Sequence, residues 1–100
     1  VKSKSDIGIR FGENLRRCRK RADLSQERFA VLAGLHRVEV GHLENGRSRP
    51  RIDTLVKLAC TLGVPTDELL DGIDWVPGET EPGSLRVVAR VVSIGAMAED

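Results

Sequence analysis

The sequence predicts an all-α domain of five short helices, followed by a C-terminal extension that holds at most one β-strand. Three observations lead there. Apolar residues recur at spacings of three and four through most of residues 9–72. Glycine or Asn-Gly punctuation falls where helices should end, at Gly34, Asn45-Gly46, Gly63 and Gly72. After Gly72 the helical period stops, and the runs 75–78 (Trp-Val-Pro-Gly) and 79–83 (Glu-Thr-Glu-Pro-Gly) crowd turn signals together.

Residues 1–8 form an N-terminal arm in this reading. The first helix is predicted from about Ile9 to Ala22, with Phe11, Leu15, Cys18 and Ala22 as its buried stripe and Arg16, Arg17, Lys20 and Arg21 on the other face. The second spans 26–33. Ser25 is placed to cap the free amides of Glu27 and Arg28, Phe29, Ala30, Leu32 and Ala33 share one face, and Gly34 supplies a left-handed end. A third helix over 36–44 packs Val40 and Leu43 inward. Val38 lies about 200° round the axis from Val40, so it points outward and forms a strip with Arg37, Gly41 and His42. Pro50 opens a fourth helix whose expected buried stripe is Ile52, Leu55, Val56, Ala59 and Leu62, ended by Gly63. A last short helix, Asp67 to Leu70, closes the core with Leu69 and Leu70. Beyond it, Leu85 to Val92 is apolar and β-branched apart from Arg86 and Arg90, which reads as a strand. A lone strand is unstable; its simplest partner is the same strand of a second subunit, and the alternative is a loose tail.

Two short helices broken by a glycine, with an apolar stripe that leaves one face of the second helix free, have the spacing of a helix-turn-helix. The runs 24–30 (Leu-Ser-Gln-Glu-Arg-Phe-Ala), 33–35 (Ala-Gly-Leu) and 43–50 (Leu-Glu-Asn-Gly-Arg-Ser-Arg-Pro) resemble the Xre family of phage repressor and Cro type regulators, over roughly residues 9–72. The resemblance implies a five-helix lambda-repressor-like DNA-binding domain at 9–72, flanked by the arm at 1–8 and an extension at 73–100 with a candidate dimerisation strand at 85–92. It implies a transcriptional regulator, a repressor in expectation, that binds double-stranded DNA sequence-specifically as a homodimer on a palindromic operator, with no cofactor. By the family pattern the third helix enters the major groove, which makes His36, Arg37, Val38 and His42 the base-contacting positions. Arg37 has the fork for guanine O6 and N7, and Val38 suits a thymine methyl. Phosphate contacts fall to Gln26 at the start of the second helix and to Asn45, Arg47, Arg49 and Arg51 around the turn into the fourth. Arg19 and Glu44 match an ion pair with which the family ties its first helix to the recognition helix. Two positions depart from the pattern. Arg51 stands where the family has a small polar cap, and Glu39 is an acid beside a phosphate-rich surface.

Charge and composition agree with that direction. The net charge is only +1, but residues 1–51 hold 13 Lys and Arg against 6 Asp and Glu, whereas residues 52–100 hold 3 against 9. A basic half that carries the helix-turn-helix suits attraction to phosphates; the bland alternative makes each block a solvated face. No long apolar run or secretory signal is present, so a cytoplasmic protein with no membrane partner is expected. Cys18 and Cys60 sit in apolar stripes without a CxxC, as reduced core residues. His36 and His42 lack the spacing of a metal pair, and no nucleophile or paired carboxylate has a base at a telling distance, so neither a metal site nor catalytic residues are assigned and an enzyme is not expected. Two rivals to an autonomous repressor stay open: an antitoxin or protein-interaction module whose tail orders on a toxin partner, and a restriction-modification controller, suggested by the Gly-Leu-His-Arg stretch at 34–37.

Overall fold

Helix α1 spans Asp6–Arg21, beginning three residues before the expected Ile9, so residues 6–8, read as part of an arm, are helical. The computed structural model describes residues 6–81 and 84–88. Helices α2 (Gln26–Ala33), α3 (Arg37–Glu44), α4 (Ile52–Leu62) and α5 (Thr66–Leu69) follow, then two short strands, β1 (Ile73–Asp74) and β2 (Arg86–Val87). The core draws Phe11, Leu15 and Cys18 from α1, Phe29, Ala30 and Ala33 from α2, Val40 and Leu43 from α3, Leu58 and Ala59 from α4, and Leu69 from α5. Each of the five helices thus buries one face against the others, which short helices need because they are marginal alone.

Local signals set the turns. Gly34 and Gly63 both adopt left-handed conformations, with φ of 71° and 68°, and beyond Gly34 the Leu35 amide donates to the Ala30 carbonyl at 2.9 Å, satisfying an orphan acceptor of the helix end. Gly12 answers a different need. A Cβ there would lie 2.6 Å from the Leu43 carbonyl oxygen and closer still to that of Glu44, so α1 and the end of α3 meet backbone to side at a spacing only glycine allows.

Several packing expectations are corrected. Ile52 (81% exposed) and Val56 face solvent, and so does Cys60, which was expected in the core. Residues 52, 56 and 60 form one apolar row of α4, while Leu55, Leu58, Ala59 and Leu62 form a competing one; the second wins, and Leu58, left out of the expected stripe, is fully buried. Leu32 is exposed on the outer side of α2, Ala22 lies beyond α1 in the open, and Leu70 follows α5 half out of the core.

The C-terminal segment finds its partner within the chain. β1 and β2 pair antiparallel, Ile73 with Val87 and Asp74 with Arg86. Arg86 grips Asp74 through two hydrogen bonds of 2.8 and 2.9 Å, and that bond holds the Asp74 carboxyl below its ordinary range and the Arg86 guanidinium above. The Val88 amide donates to the Gly72 carbonyl at 2.8 Å, and the Arg10 guanidinium donates to the Val88 carbonyl at 2.6 Å. Asn14, fully buried on α1, donates to the carbonyls of Leu69 and Asp71 at 3.0 and 2.9 Å. Two polar side chains of α1 thereby pin the end of α5 and the hairpin. The rest of the expected strand, 89–92, lies outside the described residues.

Candidate nucleic-acid interface

The α2–turn–α3 unit is set by its caps. The Ser25 hydroxyl accepts from the Arg28 amide at 3.0 Å and fixes where α2 begins; of the two amides assigned to it, only this one is bound by the cap. His36, expected inside α3, is instead its N-cap residue, extended at φ −88° and ψ 146° and without a side-chain cap hydrogen bond. α3 buries Val40, Leu43 and Glu44. Its remaining face carries Val38, 62% exposed, with His42 one turn on, and Arg37 and Glu39 to either side, all of them exposed. His36 is exposed just ahead of them. A β-branched apolar residue left mostly in solvent sits at the middle of this surface.

What holds that surface in place is a buried charge cluster. Arg19 at the end of α1 meets Glu44 at the end of α3 in a two-pronged contact, Nε to Oε2 at 2.6 Å and Nη2 to Oε1 at 3.0 Å. The side chains are 8% and 1% exposed. The remaining prong, Nη1, donates to the Leu24 carbonyl at 2.7 Å in the turn ahead of α2. Gln26, first residue of α2, donates through Nε2 to Glu44 Oε1 at 3.0 Å. One carboxylate therefore gathers donors from α1 and α2 onto α3, and such charge-assisted bonds are the strong ones. Burial removes Arg19 from any surface role, and Gln26 keeps one amide hydrogen for a partner outside the chain.

Apart from Gln26, the positions assigned to phosphate lie along the stretch from α3 to α4. Asn45, the C-cap residue of α3, Arg47, Arg49 and Arg51 are all exposed. Arg51 is the N-cap residue of α4 and makes no side-chain cap bond; its guanidinium lies 3.7 Å from the Asp53 carboxylate, with both side chains largely solvated. α1 adds exposed Arg16 and Lys20. Its last arginine, Arg21, turns instead to Glu68 of α5 at 3.0 Å, and that hydrogen bond raises its pKa. Among the described residues no cluster of His, Cys, Asp or Glu is suited to a metal ion, and no helix is long and apolar enough to cross a membrane.

Sequence reasoning placed Arg19 with Glu44 but missed that Gln26 shares the same carboxylate, and it missed Arg10 and Asn14 altogether. Asn14 left a trace: a polar residue beside Leu15 and three after Phe11 interrupts an otherwise apolar stripe. Arg10 left none, because its partner is a carbonyl far along the chain.

Comparison with known proteins identifies the unit. A helix-turn-helix family model matches residues 15–69. A prophage SPbeta-derived, uncharacterized HTH-type transcriptional regulator of Bacillus subtilis (strain 168), YonR, is 45% identical over 62 residues, which are 62% of this chain and 57% of that protein; the chain thus spans little more than half of that relative. The control protein C.MunI of a Mycoplasma species is 39% identical over 71 residues, 70% of this chain and 96% of the relative. Among solved structures, the restriction-modification controller protein C.AhdI from Aeromonas hydrophila superposes with a TM-score of 0.61 at 39% identity, over 62% of this chain and 94% of that one. With its capped α2, glycine turn and outward-facing α3, this chain belongs to the helix-turn-helix family, among the DNA-binding transcriptional regulators of the Xre type.

Proposed function

We propose that the chain reads a double-stranded operator by laying α3 in the major groove, with His36, Arg37, Val38 and His42 at base edges. The observation that carries this is the outward face of α3, where Val38 stands in solvent between Arg37 and His42 while the opposite face is locked to α1 and α2 through Glu44. Gln26, Asn45, Arg47, Arg49 and Arg51 hold phosphates and fix register without reading sequence. One such unit spans a half-site only, so two copies act on an inverted repeat, with half-sites about one helical turn apart, and occupancy of a promoter represses it. Arg37→Ala tests the reading. Titrated against single-base variants of the preferred duplex, it should cost about 1 to 3 kcal/mol on that duplex and much less on unrelated DNA; an unchanged preference at every base pair removes Arg37 from the interface.

A more specific role is supported by the likeness to C.MunI and C.AhdI, which runs over nearly the whole of each: control of a restriction-modification system. The same face of α3 serves that role. It is distinguished by the promoters bound, which would then drive a nuclease or methyltransferase gene.

A further inference from the structure

Four glycines of the helical domain answer a demand of the fold: Gly34, Gly46 and Gly63 need positive φ, and Gly12 needs the absence of a Cβ. Gly41 answers none. It lies within α3, it is not among the positive-φ glycines, and among the described residues nothing lies within 4 Å of where its Cβ would be. Glycine is a poor helix former there because its backbone loses the most freedom on folding, so the free protein gives up stability at this position and gains no contact in return. The place of the gap is informative. Position 41 is one turn after Arg37 and Val38, one turn before Asn45, and next to His42, half-buried on the Arg37 side of the exposed face of α3.

We propose that Gly41 is a specificity-determining residue, which acts by leaving the main chain of α3 bare so that the helix seats directly against the base-pair edges of the duplex. The inference rests on the groove-reading role of α3 given above and adds the seating depth. A methyl group at this point needs about 3.5–4.0 Å to the nearest base atom, so the helix must withdraw. Hydrogen bonds and methyl contacts from Arg37, Val38 and His42 tolerate only a few tenths of an ångström of that, whereas flexible arginines on the loop to α4 follow the phosphates. Base reading therefore weakens while phosphate binding persists.

Gly41→Ala in the full chain provides the test, with two probes: a duplex selected from a random pool by the unaltered protein, and a scrambled duplex of the same length and composition. The variant should melt about 5 °C higher, as expected for better helix propensity. It should bind the selected duplex at least tenfold more weakly and the scrambled one within twofold of the parent. A higher melting temperature with undiminished affinity for the selected duplex overturns the proposal, as does a lower melting temperature, which would place the glycine in service of the fold. Equal losses on both probes overturn the specificity assignment. If the unaltered protein selects no duplex at all, the groove-reading role itself fails, an outcome separate from these.

Discussion

Replacing Glu44 with alanine strands a buried guanidinium. In the folded chain Arg19 gives two hydrogen bonds to the Glu44 carboxylate, at 2.6 and 3.0 Å, and Gln26 gives a third at 3.0 Å. With the Arg19 side chain only 8% exposed, water cannot readily take over, and only the bond to the Leu24 carbonyl remains. Breaking a buried pair from one side costs about 3 to 5 kcal/mol, because a desolvated charge is left without its counterpart. Against the roughly 5 to 15 kcal/mol that holds a small domain together, that is a large share. Arg19→Ala should cost a comparable amount by leaving the carboxylate with Gln26 alone. The double variant should cost less than the two singles together, by at least about 1 kcal/mol, because residues in one network couple. Equilibrium urea unfolding of the four proteins, followed by circular dichroism, gives the cycle directly. A loss below about 1 kcal/mol for Glu44→Ala, the behaviour of a surface pair, would refute the claim that this cluster holds α3 in place.

Gly12→Ala drives a methyl into the carbonyls that end α3 and should destabilise by about 1 to 3 kcal/mol as an overpacked contact, against a gain for Gly41→Ala in the same unfolding assay. Arg47→Ala and Arg49→Ala should each weaken binding to all duplexes alike and lower the slope of log affinity against log salt by about one; an altered sequence preference would mean that they read bases. Acidification should loosen the hairpin. The Asp74 carboxyl titrates below its unfolded value because Arg86 bonds its charged form, so its contribution is present above the ordinary Asp range, near pH 4, and is lost as pH falls through the lower, folded value. Hydrogen exchange at the Val88 amide should report this, and Asp74→Asn should remove the dependence.

The legible parts of the fold were those encoded over a few neighbouring residues. Gly34 and Gly63 announce helix ends because only a residue without Cβ takes that conformation cheaply, and α3 shows its inner face through Val40 and Leu43 alone. α4 was misjudged because two apolar rows, 52-56-60 and 55-58-59-62, are equally periodic and the neighbouring helices choose between them. The strand pairing was hidden for a related reason. Two residues of ladder carry almost no periodic signal, and one of the bonds that hold the hairpin comes from the Arg10 guanidinium, 78 residues before its acceptor Val88. At the interface, exposure of Val38 followed from helix geometry, whereas the tie between Gln26 and Glu44 depended on how α2 docks on α3.

The central claim, that the free face of α3 reads duplex sequence, is tested most directly by selecting binders from a pool of random duplexes with the full chain and repeating the selection with Arg37→Ala. The account predicts enrichment of an inverted repeat by the parent, and loss of preference at one base pair of each half-site in the variant while the flanking positions persist. Enrichment of the same sequence by both proteins, or of none by the parent, would contradict it.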